Sequence, residues 1–411
     1  MPDVHLDTDE VDFVIGTDSQ RRPCEILLKV GSRLRLSIRV SGLNPWAAFA
    51  AFGEGSMFSL HMVKANVDCE AFLTASNGGV VEFSPSSEPI VVGCSEDLAS
   101  VRFDLINFPK FLALYGPSAS RMFDHLDISA AGWAIEIRPP RQSRDLEAFQ
   151  SSMYSVTHSC MMRRGDGGRF TSDQAEDVLN AMHEALSLAA GRWVSPAFVA
   201  GTERSGRVVW KLWGTGRLVP ELSTEGTWFD PHHAGALGDV ISGLFELQKS
   251  ADRSEAFRSA LYWYVRSSPD AAGVDGGLIL LQAALERLAW QRVAVDGGGL
   301  TSVEFRKRKA GERLRLLLQD CGIPTDVPSE LTELASEANR RGWDGPWALV
   351  ACRDLLVHPE KLQVLPWYDL WTLSRWYVEL VLLKMLGFSG EYSNRTRGRR
   401  WVGTVEPVPW A

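Results

Sequence analysis

"ACRDLLVHPE", residues 351–360, sets Leu355, Leu356 and Val357 among an arginine, an aspartate and a histidine. The apolar run has the character of a packed helix. Pro359 disfavours helical geometry in the residue before it, so the helix should end at about His358. Cations at a helix C-terminus can cap the last carbonyls, where the dipole favours them, or can be offered to a substrate. Five residues along a regular helix make a rise of about 7.5 Å and a turn of about 140°. Arg353 and His358 therefore diverge unless the helix end relaxes or a second chain completes the pair.

Outward from this stretch the sequence reads as helical from about residue 254. "EAFRSALYWYVRS" runs to Pro269, and "DGGLILLQAALERLAWQRVA" sets Leu278, Leu281, Leu285, Leu288 and Ala289 on one stripe. A third helix is expected over about 302–319, with Leu314, Leu317 and Leu318 inward. "SELTELASEANRR" follows with Ser329 as its expected N-cap, and the penultimate helix contains Arg353. The last helix carries Trp367, Trp371, Leu373, Trp376, Leu380, Leu383 and Leu386, more than one stripe of a monomeric bundle needs. Part of that surface is expected to face a second copy of the chain, giving a homodimer.

The N-terminal third has the opposite character. In "RLRLSIRV" Leu34, Leu36, Ile38 and Val40 alternate with Arg33, Arg35, Ser37 and Arg39, the period of a half-buried strand, and "CEILLKV" precedes it across Gly31-Ser32 as a hairpin partner. Further short apolar runs up to "GWAIEIRP" are spaced like strands of a sandwich or open barrel. After "RPPRQSRD" a capping box of Thr171 and Gln174 opens a helix over about 172–191, and "AFVA" and "GRVVWKLW" read as two strands. The expected fold is multidomain α+β: a β-rich domain over 1–140, a mixed α/β region over 141–250 and an all-α helical bundle over 251–411.

With 411 residues, 45% apolar and fifteen of them tryptophan, the chain can bury large cores and is not of disordered composition. The acidic start "MPDVHLDTDEVDF" is no signal peptide, and "YVELVLLKMLGF" is too short and too charged for a membrane span. A cytoplasmic protein without a membrane partner is expected, its six scattered cysteines being free thiols. The formal charge of −8 argues against general coating of DNA, yet "FRKRKAGERLR" (305–315) and "NRTRGRR" (394–400) are strongly basic. Arg306, Lys307, Arg308, Lys309, Arg313 and Arg315 are expected on the polar face of one helix, either merely solvated or holding an RNA backbone. Arg395, Arg397, Arg399 and Arg400 form the second basic cluster.

No metal or cofactor is expected. His158 and Cys160 make one HxC and His232-His233 a pair beside Asp230, but neither has a second ligand pair at zinc-site spacing. "MHEAL" lacks the second histidine of a zincin helix, and "RGDGGRF" is neither a Walker loop nor a dinucleotide fingerprint. Arginine supplies a permanent fork matched to phosphate oxygens and histidine a proton carrier near neutral pH. Together they suit metal-free RNA cleavage, in which a ribose 2′-hydroxyl attacks the adjacent phosphorus. Asp354 would hold the imidazole or the guanidinium.

Arg353, then Asp354, three mostly apolar residues and His358, on the penultimate helix of an all-α bundle, resembles the HEPN domain, whose signature is Arg, a polar residue and His. "YVELVLLKMLGFSGEYSNRTR" looks like the last helix and tail of ApeA-like HEPN proteins, with their Leu-Gly-aromatic, Gly-x-Tyr and Asn-Arg. "RVVWKLWGTG" resembles the tryptophan-bearing strand in their N-terminal region. The resemblance implies a metal-independent endoribonuclease of phage defence or toxin systems, active as a dimer with facing motifs. Arg353 would stabilise the phosphate, His358 would be general acid or base, and Asp354 would fill the position more often held by Asn. A phage-derived or other trigger would act at the N-terminal region. The alternative is a non-catalytic HEPN module acting through dimerisation or nucleotide binding.

Overall fold

The computed structural model describes residues 3–15, 18–31, 33–42, 57–77, 79–110, 113–114, 122–123, 125–140, 153–219, 226–297, 300–357, 365–397 and 401–411. The chain divides into two compact units, residues 1–110, 124–183 and 194–222, and residues 111–123, 184–193 and 223–411.

In the first unit, β1 (Val4–Ile15), β2 (Asp18–Val30), β3 (Leu34–Ser41), β4 (Met57–Met62), β5 (Val67–Asn77) and β6 (Val80–Pro85) close into a six-stranded barrel ordered β1-β2-β3-β6-β5-β4. The alternation in β3 explains the closure: Leu36, Ile38 and Val40 point into a core with Phe58, Leu60 and Phe83, and full closure leaves no edge to protect. Outward-facing Arg39 pairs with Asp3, Glu25 and Glu82.

β7 (Ile90–Val92), β8 (Ser100–Ile106), β11 (Leu126–Ala130), β12 (Trp133–Arg138), β13 (Val156–Arg164), β14 (Pro196–Thr202) and β15 (Val208–Trp213) form a seven-stranded sheet ordered β11-β12-β13-β8-β14-β15-β7. Sequence on both sides of residue 140 thus contributes to one sheet. Between β8 and β11 in the chain, β9 (Ala113–Leu114) and β10 (Met122–Phe123) pair with each other. The expected capping box is present: Gln174 N–H donates to Thr171 Oγ1 at 3.1 Å, Thr171 N–H donates to Gln174 Oε1 at 3.2 Å, and α1 spans Ser172–Ala190.

The second unit is mainly helical, with α2 (Ala236–Leu247), α3 (Ala251–Arg266), α4 (Pro269–Ala289, extended by a π-turn over Trp290–Val295), α5 (Ser302–Lys307), α6 (Ala310–Asp320), α7 (Thr332–Arg341), α8 (Gly345–Val357) and α9 (Trp367–Met385). The short strands β16 (Glu391–Tyr392) and β17 (Glu406–Pro407) pair after them. Trp371, Leu373, Trp376, Leu380 and Leu383 of α9 are all buried in the single chain, so the apolar surplus read from the sequence does not by itself mark a face for a second copy. Trp371 packs so closely that a Cβ on Gly277 would meet its indole at 3.0 Å, and its Nε1–H donates to Ser267 O at 2.8 Å. Ser329 does not cap α7; Leu331 holds the N-cap position, and the Asp369 carboxylate of α9 accepts the Leu334 N–H at 3.1 Å instead. Among the described residues, no helix is long and apolar enough to cross a membrane.

Candidate nucleic-acid interface

The basic segment is two helices, not the single one expected over 302–319. Thr301 and Glu304 make a complete capping box that starts α5, and the chain turns extended at Arg308 and Lys309 before α6 begins. Tertiary contacts explain the break. Phe305 is buried edge-on against Trp290, 5.6 Å between ring centroids, and Arg313 reaches back from α6 to close the end of α5. Its Nε–H donates to Phe305 O at 3.1 Å and its Nη2–H to Arg306 O at 2.8 Å, satisfying carbonyls that the lost turn leaves open.

The six predicted cations therefore divide. Arg313 is a cap, and Arg315 is held by Asp344 at 2.6 Å. Arg306, Lys307, Arg308 and Lys309 remain consecutive and exposed, with Arg306 lying over the Trp290 ring at 5.3 Å and Arg308 3.9 Å from Glu312. Arg306, Arg313, Trp290 and Phe305 also line a shallow cavity with Arg287 and Glu255. The placing of Arg306 over Trp290 was not legible from the sequence, since Trp290 belongs to the preceding helix.

Helix α8 is buried at its start, through Pro346, Leu349 and Val350, and opens toward its end. Leu355 and Leu356 are only half-buried and Val357 is 41% exposed. Arg353 and Asp354 are thus not core residues; the Arg353 guanidinium donates from Nη1 to Asp354 Oδ1 at 3.1 Å, with side chains 40% and 56% exposed. His358 lies outside the described residues, as do Arg399 and Arg400.

The two described arginines of the second basic cluster are both paired with carboxylates. Arg395 is buried against Glu379, and Arg397 is shared by Glu330 and Glu406. The histidine pairs are structural. His158 and Cys160 share the buried face of β13, His183 contacts Val194 O through Nδ1 at 2.7 Å, and Asp230 caps the turn of His232 and His233. Among the described residues no group of three or more His, Cys, Asp or Glu is placed to hold a metal ion.

Two domain families match this chain. Residues 93–223 match the YopA central domain, and residues 250–406 match the YopA C-terminal domain. A relative is the SPbeta prophage-derived uncharacterized protein YopA of Bacillus subtilis (strain 168), 26% identical over 271 residues, covering 63% of this chain and 59% of that protein. The match thus spans about three-fifths of the relative's length, and the barrel of β1–β6 lies outside both domain matches. No solved structure matches the chain significantly. These matches overturn the HEPN resemblance, because the residues that carried it, 207–216 and about 254 to 400, fall in the matches to the YopA central and C-terminal domains.

The structure also explains why those residues looked diagnostic. Leu386-Gly387-Phe388 is the C-terminal stop of α9: Gly387 has φ +69°, Phe388 N–H donates to Leu383 O at 3.1 Å, and the Phe388 ring packs on Trp228. Tyr392 takes the Trp376 indole N–H at 3.1 Å, and Asn394 Nδ2 donates to Glu406 at 2.7 Å. Each is a packing tie that many helical folds could use.

Proposed function

We propose that this protein binds RNA through its helical unit, with Arg306, Lys307, Arg308 and Lys309 holding the phosphate backbone without reading bases. One observation carries the reading: four consecutive exposed cations are fixed on a capped helix break in a chain whose formal charge is −8. An anionic protein repels a polyanion everywhere except at such a strip, so binding is steered to it. Trp290 and Phe305 beneath Arg306 and Arg313 hold two of the guanidinium planes in place. A role in phage defence or a toxin system is the setting proposed, supported by the prophage origin in the relative's name.

A second reading adds metal-independent endoribonuclease activity, with Arg353 stabilising the phosphate and His358 moving a proton. What favours it is the exposure of Arg353 beside a single carboxylate, Asp354, which leaves guanidinium donors open to a phosphate.

The test is the salt dependence of binding to a mixed-sequence RNA by the full chain. Replacing Arg306, Lys307 and Arg308 with glutamine should weaken binding and lower the slope of log K against log salt by about 2. An unchanged slope overturns the assignment of this strip.

A further inference from the structure

A cavity of about 740 Å3 opens in the helical unit, away from the cationic strip. Its walls come from the start of α9 (Tyr368, Asp369, Thr372), from Asp230, and from the chain after β16 (Arg395, Arg397, Trp401). The volume suits a small ligand or one large side chain.

The charges decide what kind. Both arginines are already committed. Arg395 is paired with Glu379 and donates to Gly226 O at 3.0 Å; Arg397 donates to Glu406 at 3.1 and 2.9 Å and is also paired with Glu330. An anion would have to break these pairs. The carboxylates Asp230 and Asp369 stand differently: Asp230 accepts the N–H groups of His232 and Gly403, each at 2.7 Å, and Asp369 accepts that of Leu334. Neither forms an ion pair among the described residues, so the cleft keeps negative charge with no cation assigned to it.

Two further features point to a ligand. Thr372 is 7% exposed and lines the cavity, and its hydroxyl has no hydrogen-bond partner among the described residues, whereas Ser374 on the same helix donates to Leu370 O. The Thr372 hydroxyl is therefore open to the cavity and to whatever occupies it. At the rim stand two large exposed aromatics, Tyr368 at 60% and Trp401 at 76% exposure. Tyr368 is stacked on Trp371 at 5.6 Å, and Trp401 sits on a turn closed by the Thr404 N–H and fastened to Asp230 through Gly403. Exposed rings beside carboxylates that no cation neutralises suit an organic cation.

We propose that this cleft binds a guanidinium group on an aliphatic stem, carried by a small molecule or by an arginine of a partner peptide. The planar fork stacks on Trp401 or Tyr368 while its N–H groups meet Asp369 and the Thr372 hydroxyl, a match that a compact ammonium would make less well. The proposal does not depend on RNA binding by Arg306–Lys309.

Titration calorimetry on the full chain tests it, with agmatine as the free guanidinium, acetyl-Gly-Arg-Gly-amide as the peptide-borne one, and AMP and uridine as anionic and neutral planar comparators. We expect guanidinium probes to bind and AMP and uridine not to. Trp401→Ala should weaken binding about tenfold. Asp369→Asn should do the same while keeping an oxygen for the Leu334 N–H, and unchanged melting would show that both variants fold. Binding of both guanidinium probes supports recognition of a partner's arginine, and binding of agmatine alone supports a small-molecule ligand. AMP or uridine binding in place of the guanidinium probes, or no binding by any probe, overturns the proposal.

Discussion

Arg395 donates two hydrogen bonds to Glu379, 2.8 and 2.6 Å long, between side chains only 3% and 1% exposed. The pair sits within a larger buried group. The Tyr264 hydroxyl also donates to Glu379, and Arg375 lies over the Tyr264 and Trp371 rings at 4.4 and 5.1 Å. One carboxylate therefore answers two buried guanidinium groups, and the ring faces take up part of the remaining positive charge.

Removing that carboxylate leaves both arginines in the core without a counter-charge. Glu379→Gln should cost about 3–5 kcal/mol of unfolding free energy, measured by urea denaturation, whereas an exposed control such as Glu246→Gln should cost little. A Glu379→Gln protein as stable as the wild type would contradict the account. Burial pushes the Glu379 carboxyl up, but the charge and hydrogen bonds of Arg395, the charge of Arg375 and the Tyr264 hydroxyl outweigh it, so the group titrates below the ordinary carboxylate range. A lowered folded value means the stabilisation is present above the unfolded carboxylate range and is lost as pH falls through the folded one. The gap between wild type and Glu379→Gln should narrow accordingly in acid.

His158 gives a second pH dependence. Burial, helped by the charge of Lys110, pushes it down to about 4, and its side chain is packed edge-on to Phe108. The unfolded chain takes up the proton at about pH 6.5 and the folded chain does not until about 4. Stability is therefore full above pH 6.5 and declines across the window down to about 4, by about 3 kcal/mol from this one group. His158→Leu should remove that component, seen as a smaller change in denaturation midpoint between pH 7 and pH 4.5.

Arg313 and Lys307 should separate folding from binding. Arg313→Ala frees the carbonyls of Phe305 and Arg306 and should lower stability by about 1–2 kcal/mol while also loosening the cationic strip. Lys307→Gln touches nothing in the fold; its melting temperature should match the wild type while the salt slope of RNA binding falls by about 1. Equal effects of the two variants on melting would remove the capping role of Arg313.

If the second reading holds, the purified full chain should cut total RNA with EDTA present, and His358→Ala and Arg353→Ala should abolish cutting with unchanged circular dichroism. Arg353→Lys should also be poor, because an ammonium cannot replace the planar fork. Absence of cutting by the wild type would leave RNA binding as the protein's only proposed activity on RNA.

Local patterns in the sequence were enough for elements whose stability is local. The alternation of Leu36, Ile38 and Val40, the Thr171–Gln174 capping box and strands at "AFVA" and "GRVVWKLW" all appear as read, because each is set by the geometry of a few neighbouring residues. Tertiary structure decided what each charged and aromatic residue is for. It broke the basic segment at Arg308, because Phe305 is captured by Trp290 and Arg313 can close the open carbonyls. It also enclosed the apolar residues of α9 within one chain and gave Arg395 to Glu379 rather than to a phosphate. A side chain's partner is chosen by segments far away along the chain, through burial and charge that no short window contains, and so a run such as Leu386-Gly387-Phe388 fixes how a helix stops without saying which family the helix serves.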